Sequence, residues 1–250
     1  MKFFRRSHKD TVSEPAPRKQ AMQFLVPKGV GWTVDDLHQL EAGGKFREAL
    51  ERWQILLAPF QDPQVGPRIA LLPEHRYLWI HMGMCYRRLE MYDESLEAYD
   101  KAAALARQAG DEGNLAEIAN NIGVVHRNRG EVDKALHQFQ DARRAAEGVK
   151  DMGLLATVHD NIAMCYRMQG LLEKAMAEED RARATVASNP SRVSAAVQAR
   201  VLGNLGLLYV DLGRREDAIA VLELALAKAR EARDVMQEDA ILHNLHAARG

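Results

Sequence analysis

Small residues recur along this chain at a nearly fixed interval: Gly83, Gly123, Ala163 and Gly206 stand 40, 40 and 43 residues apart. Each sits in a similar string, Met82-Gly83-Met84-Cys85-Tyr86-Arg87 in the first and Ile162-Ala163-Met164-Cys165-Tyr166-Arg167 in the third. Seven residues on come Gly130, Gly170 and Gly213, which can close a helix in the left-handed conformation. Twelve on come Ser95, Ala135, Ala175 and Ala218, and nineteen on Ala102, Ala142, Ala182 and Ala225. This spacing suits two antiparallel helices that approach closely at their small residues. Repeated, it predicts an all-α stack of helical hairpins in which each unit leans on its neighbours.

The periodicity divides the chain. Four units occupy 76–235. A degenerate hairpin fits 32–57, with Gly44, Phe46, Ala49 and Trp53 in register, and a capping helix fits 236–250. Residues 58–75 hold Pro59, Pro63, Pro67 and Pro73 and are expected as an irregular loop. Second helices end at Gly110-Asp111, Lys150-Asp151 and Arg233-Asp234, where the Asp can cap the next helix.

Charge narrows the function. Residues 1–31 carry seven Lys or Arg against two acids, while the rest carries 27 basic and 33 acidic side chains. A mildly acidic body lacks the concentrated basic surface that nucleic acid needs. The basic residues 1–31 are expected as a mobile tail. Their Met1-Lys2-Phe3-Phe4-Arg5-Arg6 start pairs aromatics with cations as lipid-contacting segments do, though plain disorder is the favoured reading. Two cysteines give no disulfide framework, and no apolar run is long enough to span a membrane, so the chain is expected in the cytoplasm.

The residues resemble the tetratricopeptide repeat family, whose pattern is W-x2-L-G-x2-Y followed by A-x3-F. Trp79-x2-Met82-Gly83-x2-Tyr86 carries the first part, Ala135-x3-Phe139 the second, and Ser95-x3-Tyr99 comes near it. Glu90 replaces one turn glycine and Glu179 one aromatic. The ~40-residue period resembles kinesin light chain, the Pins/LGN adaptors and Rap-type peptide receptors. The resemblance implies a right-handed superhelical stack whose first helices line a concave groove for a peptide or helical segment. No catalytic constellation stands in the sequence, so no enzyme is expected.

With the small residue at position 8 of each unit, position 6 is Asn121, Asn161, Asn204 and Asn244 in four successive units. Amides both donate and accept, so a row of them can hold a peptide backbone. Position 12 is Arg87, Arg127 and Arg167, with Asn128 beside one of them; arginines there can meet carboxylates or pair with local acids. Position 5 includes Asn120, and position 9 is apolar, with the adaptable Met84 and Met164. The Lys and Asn of the dicarboxylate clamp, which the chaperone-binding members use, are missing from positions 5 and 9.

No phosphate-binding loop, H-E-x-x-H or C-x-x-C motif is present, and no cofactor or metal is expected. Cys85 and Cys165 read as small core residues. His243 and His246 share a helix without further ligands, and His159 and Asp160 are neighbours that diverge on a helix. The expectation is an adaptor for another protein or peptide. A peptide-sensing regulator or a self-assembling scaffold is the alternative. The last helix either caps the stack with its polar Glu238, Asp239, His243 and Arg249 or pairs through Ile241, Leu242 and Leu245 with a second copy as a homo-oligomer.

Overall fold

The computed structural model describes residues 25–250. The Met1–Arg6 reading and most of the expected tail lie outside them. The described chain is all-helical, with twelve helices. A short pair comes first, α1 (Val34–Ala42) and α2 (Phe46–Gln61), then a single turn, α3 (Gly66–Ile69). Four long hairpins follow: α4 (Pro73–Arg88) with α5 (Tyr92–Ala109), α6 (Glu112–Asn128) with α7 (Val132–Val149), α8 (Met152–Met168) with α9 (Leu172–Ser188), and α10 (Ala195–Asp211) with α11 (Arg215–Ala232). The last helix, α12 (Val235–Arg249), packs on α11 and α10. Consecutive helices touch throughout the array, and each first helix also touches the first helix of the next unit. The result is a superhelical stack whose core among the described residues runs as successive clusters of buried side chains. None of the described helices is long and apolar enough to cross a membrane.

Small residues close each hairpin. Ala135, Ala175, Ala218 and their counterparts seven residues on are fully buried, and Ser95 donates from Oγ to the Gly83 carbonyl at 2.7 Å. A β-carbon on Gly123 would lie 2.6 Å from Cε1 of the wholly buried Phe139. Gly83 faces Tyr99 and Gly206 faces Leu222 in the same way. Gly148 has nothing within 4 Å of that point. Two substitutions that raise helix propensity alike are therefore expected to act with opposite sign. Gly123→Ala should lose about 1–3 kcal/mol by overpacking, and Gly148→Ala should gain about 0.5–1 kcal/mol. Urea denaturation of both variants checks this; a gain at Gly123 would contradict the close approach.

Helix ends follow the sequence. Gly110, Lys150 and Arg233 take positive φ at the ends of second helices. Asp111, Asp151 and Asp234 then accept hydrogen bonds from the third residue of the helix that follows. Glu90 at the first turn is left-handed at φ 61°, where the later units use glycine. Six residues, 189–194, join α9 to α10 and supply the longer third interval.

The proline-rich stretch departs from the expected loop. Residues 58–75 carry the end of α2 with Pro59 inside it, all of α3, and the start of α4. Pro67 and Pro73 stand in the first turns of their helices, where a missing N–H costs nothing. Proline there starts helices rather than interrupting them.

Candidate functional site

The first helices turn inward, and the two ends of the array approach each other. Gly44, in the α1–α2 turn, lies against the Met236 thioether of α12, its β-carbon position 3.8 Å from the sulfur. Between the ends is a cavity of about 1120 Å³, walled by α1, α4, α10 and α12. Its wall includes Met84, Arg88, Arg200, Asn204, Met236 and Asn244.

The asparagines are not equivalent. Asn161 is buried, donates to Asn120 Oδ1 at 2.8 Å, and accepts from Arg127 Nη1 at 2.8 Å. Asn204 donates to Asp160 Oδ1 at 2.8 Å, and Arg200 Nε donates to Asp160 Oδ2 at 3.0 Å. In both cases position 6 of one unit bonds to position 5 of the unit before. The rule explains the exceptions. Asn121 follows a unit with Ile80 at position 5, and Asn244 follows one with Gly203, so neither finds a side-chain partner there. Position 5 was expected to face the groove. Instead Ile80, Asn120 and Asp160 are buried where neighbouring first helices pack against that flank, while Gly203, also buried, does line the cavity.

The other singled-out residues scatter. Arg127 is half-buried, and burial lowers its pKa. Arg167 is pinned to Asp211 through Nε and Nη2. Arg87 is half-buried, with its Nε unpartnered. Asn128 is exposed at the end of α6. Met164 is half-buried but lies outside the cavity wall, unlike Met84. Cys85 and Cys165 are buried free thiols, and burial pushes both pKa values up, to about 11 at Cys165, which fits inert core residues. His159 turns away from Asp160 to bond Glu178 at 2.7 Å. His243 and His246 are exposed.

Two clusters were missed by sequence reasoning. Glu41 is buried and bonded to Trp53 Nε1 at 2.8 Å, His81 Nδ1 at 2.9 Å and His38 Nδ1 at 3.5 Å. Burial raises its pKa, but the bonds from His38, His81 and Trp53 outweigh that and hold it at about 2. His81 occupies position 6, the place of the asparagines, so the signal was visible: it reaches back to the preceding unit as they do. The second cluster is Glu179, 1% exposed, with Oε1 unpartnered. Burial first, then the nearby Asp160 charge, pushes its pKa up to about 9.

The fold is a helical-repeat solenoid with an internal groove. The chain belongs to the tetratricopeptide repeat family: models of that repeat match residues 76–148 and 114–188, and another matches 201–236, together more than half of its length. No curated protein sequence matches it. Among solved structures it is similar to a Rap protein complexed with Competence and Sporulation Factor, with 13% identity over 85% of this chain and 60% of that one and a TM-score of 0.68. It is also similar to aspartyl phosphate phosphatase F from Bacillus subtilis, with 16% identity over 80% and 52% and a TM-score of 0.62. A third is BtubC (BKLC) from P. vanneervenii, with 19% identity over 79% and 78% and a TM-score of 0.57. The chain thus spans only half to three fifths of the first two. At these identities the likeness is one of fold.

Proposed function

We propose that this protein is a non-catalytic adaptor that holds a peptide or helical segment of another protein in its concave groove. The cavity between α1, α4, α10 and α12 carries the reading. Its volume of about 1120 Å³ exceeds the roughly 300–1,000 Å³ of small-molecule sites. Its wall combines apolar and adaptable surface at Met84 and Met236, cations at Arg88 and Arg200, and the amide of Asn244. Asn121 and Asn244, without a partner at position 5, are the asparagines left to hold a ligand backbone. Asn161, Asn120 and Arg127 hold the first helices in register and support the groove from behind. The mildly acidic body and the two free cysteines support a cytoplasmic protein that does not bind nucleic acid.

Selection of a displayed peptide library on the wild type, followed by affinity measurement on Met84→Glu/Asn244→Ala, tests this. Selected peptides should bind the variant about tenfold or more weakly, equivalent to roughly 1.4 kcal/mol, with helicity unchanged. Equal binding to both would place the site elsewhere. The likeness to a Rap protein complexed with Competence and Sporulation Factor supports a second reading, in which a small peptide resets the curvature of the stack. Solution scattering with a selected peptide separates the two: a change of shape favours the sensor, and an unchanged profile favours the adaptor.

A further inference from the structure

We infer that His38, Glu41 and His81 form a binding site for one divalent transition-metal ion of the Zn²⁺ type, clipping α1 to α4 at the edge of the groove. Among the described residues these three form the one cluster whose ligand atoms, two imidazole nitrogens and a carboxylate oxygen, all lie within 4.8 Å of one another. His38 Nδ1 is 3.5 Å and His81 Nδ1 3.0 Å from Glu41 Oε2. An ion held at ~2.0–2.2 Å from each donor requires separations of roughly this size. Two imidazoles and a carboxylate are the donor set for Zn²⁺ and its first-row neighbours, and too soft for Ca²⁺ or Mg²⁺.

The surroundings match what such a site needs. Trp53 Nε1 donates to Glu41 Oε1 at 2.8 Å, which fixes the carboxylate and leaves Oε2 for an ion. The Tyr77 hydroxyl lies 3.2 Å from His38 Nε2. With the His38 proton on Nε2 donated to that hydroxyl, the Nδ1 lone pair is free for metal. These are the orienting contacts that ligating residues carry. His38 and His81 are 18% and 16% exposed and Glu41 9%, so the site is sheltered without being sealed. His38 and Glu41 also line the large cavity, which gives an ion its access.

In the metal-free cluster the imidazole Nδ1 atoms donate to Glu41; on binding an ion each imidazole moves that proton to Nε2 and turns its Nδ1 lone pair to the metal. Glu41 is already ionised. The ion accepts three lone pairs and a water completes the shell. The same contacts without metal would form a hydrogen-bonded cluster, so a direct titration decides.

The chelator-treated full chain is titrated with Co²⁺, followed by its visible absorption, then displaced with Zn²⁺. One Co²⁺ per chain is expected. His38→Ala and His81→Asn should each weaken binding at least about a hundredfold, and Tyr77→Phe about tenfold, since outer contacts are worth roughly 10–100-fold. His243→Ala/His246→Ala should bind as the wild type does. Circular dichroism confirms that each variant is folded. Should Glu41→Gln unfold, the partly exposed histidines still decide. Absence of Co²⁺ absorption in the wild type would overturn the inference. So would binding retained in both His38→Ala and His81→Asn, or lost with His243 and His246.

Discussion

Phe139→Ala is expected to destabilise the protein by about 3–5 kcal/mol, the upper range for truncating a buried aromatic. The ring is fully buried and stands directly over Gly123. A glycine has no side chain to move into the space, so the cavity stays open instead of collapsing. The loss also spreads, because Phe139 shares its cluster with Ala135 and Ala142 of its own helix and with Val158, Ile162 and Cys165 of the next unit. In a stack held by neighbour contacts, damage to the second unit weakens the third. Guanidinium unfolding with amide exchange should show lost protection across α6, α7 and α8. A loss under about 1 kcal/mol, far from the expected range, would contradict the packing.

Glu179→Met is expected to stabilise the protein at neutral pH by roughly 2–3 kcal/mol, taking about 1.4 kcal/mol per pH unit between the unfolded pKa and neutrality with a discount for relaxation. Burial first, then the charge of Asp160, lifts the folded pKa of Glu179 to about 9 against the opposing charges of Arg183 and Arg200. In the unfolded chain it ionises near its ordinary value. Between those two pH values the folded state holds one more proton than the unfolded state. Stability therefore falls as pH rises through that window and levels off above about 9. Methionine, unbranched and of similar length, removes the penalty and the slope. Thermal unfolding from pH 5 to pH 9 should show the wild type losing ground on the variant throughout. Parallel curves would mean that Glu179 is ionised in the folded state.

The hairpins were legible because close approach imposes a chemical requirement at fixed places. Gly83, Gly123 and Gly206 each sit under a large side chain, and a substitution there would be visible as a break in the pattern. At the same spacing Leu222 replaces the aromatic over Gly206, and Glu179 replaces it in the unit whose small residue is Ala163. The Gly110-Asp111, Lys150-Asp151 and Arg233-Asp234 endings were equally readable, since capping is local. The Pro-rich stretch misled because proline marks both loops and first turns, and only the tertiary path decides between them.

The groove was less legible. A helical wheel places Asn161 away from the core of its own hairpin, but the neighbouring first helix covers that flank. Whether an asparagine at position 6 is engaged depends on position 5 of the unit before: Asn120 and Asp160 engage their successors, while Ile80 and Gly203 leave Asn121 and Asn244 without that bond. That rule joins residues 41 to 44 positions apart, and no single motif contains it. The His38–Glu41–His81 cluster was hidden for the same reason, its third member belonging to another helix in the next unit.

The groove claim is tested most directly by placing a photoreactive phenylalanine analogue at Met84, in the cavity wall, or at Leu224, exposed on α11, and irradiating in the source cell. The account predicts a crosslinked partner from position 84 and none from position 224. A partner captured only from position 224 would show that the outer face, and not the groove, does the binding.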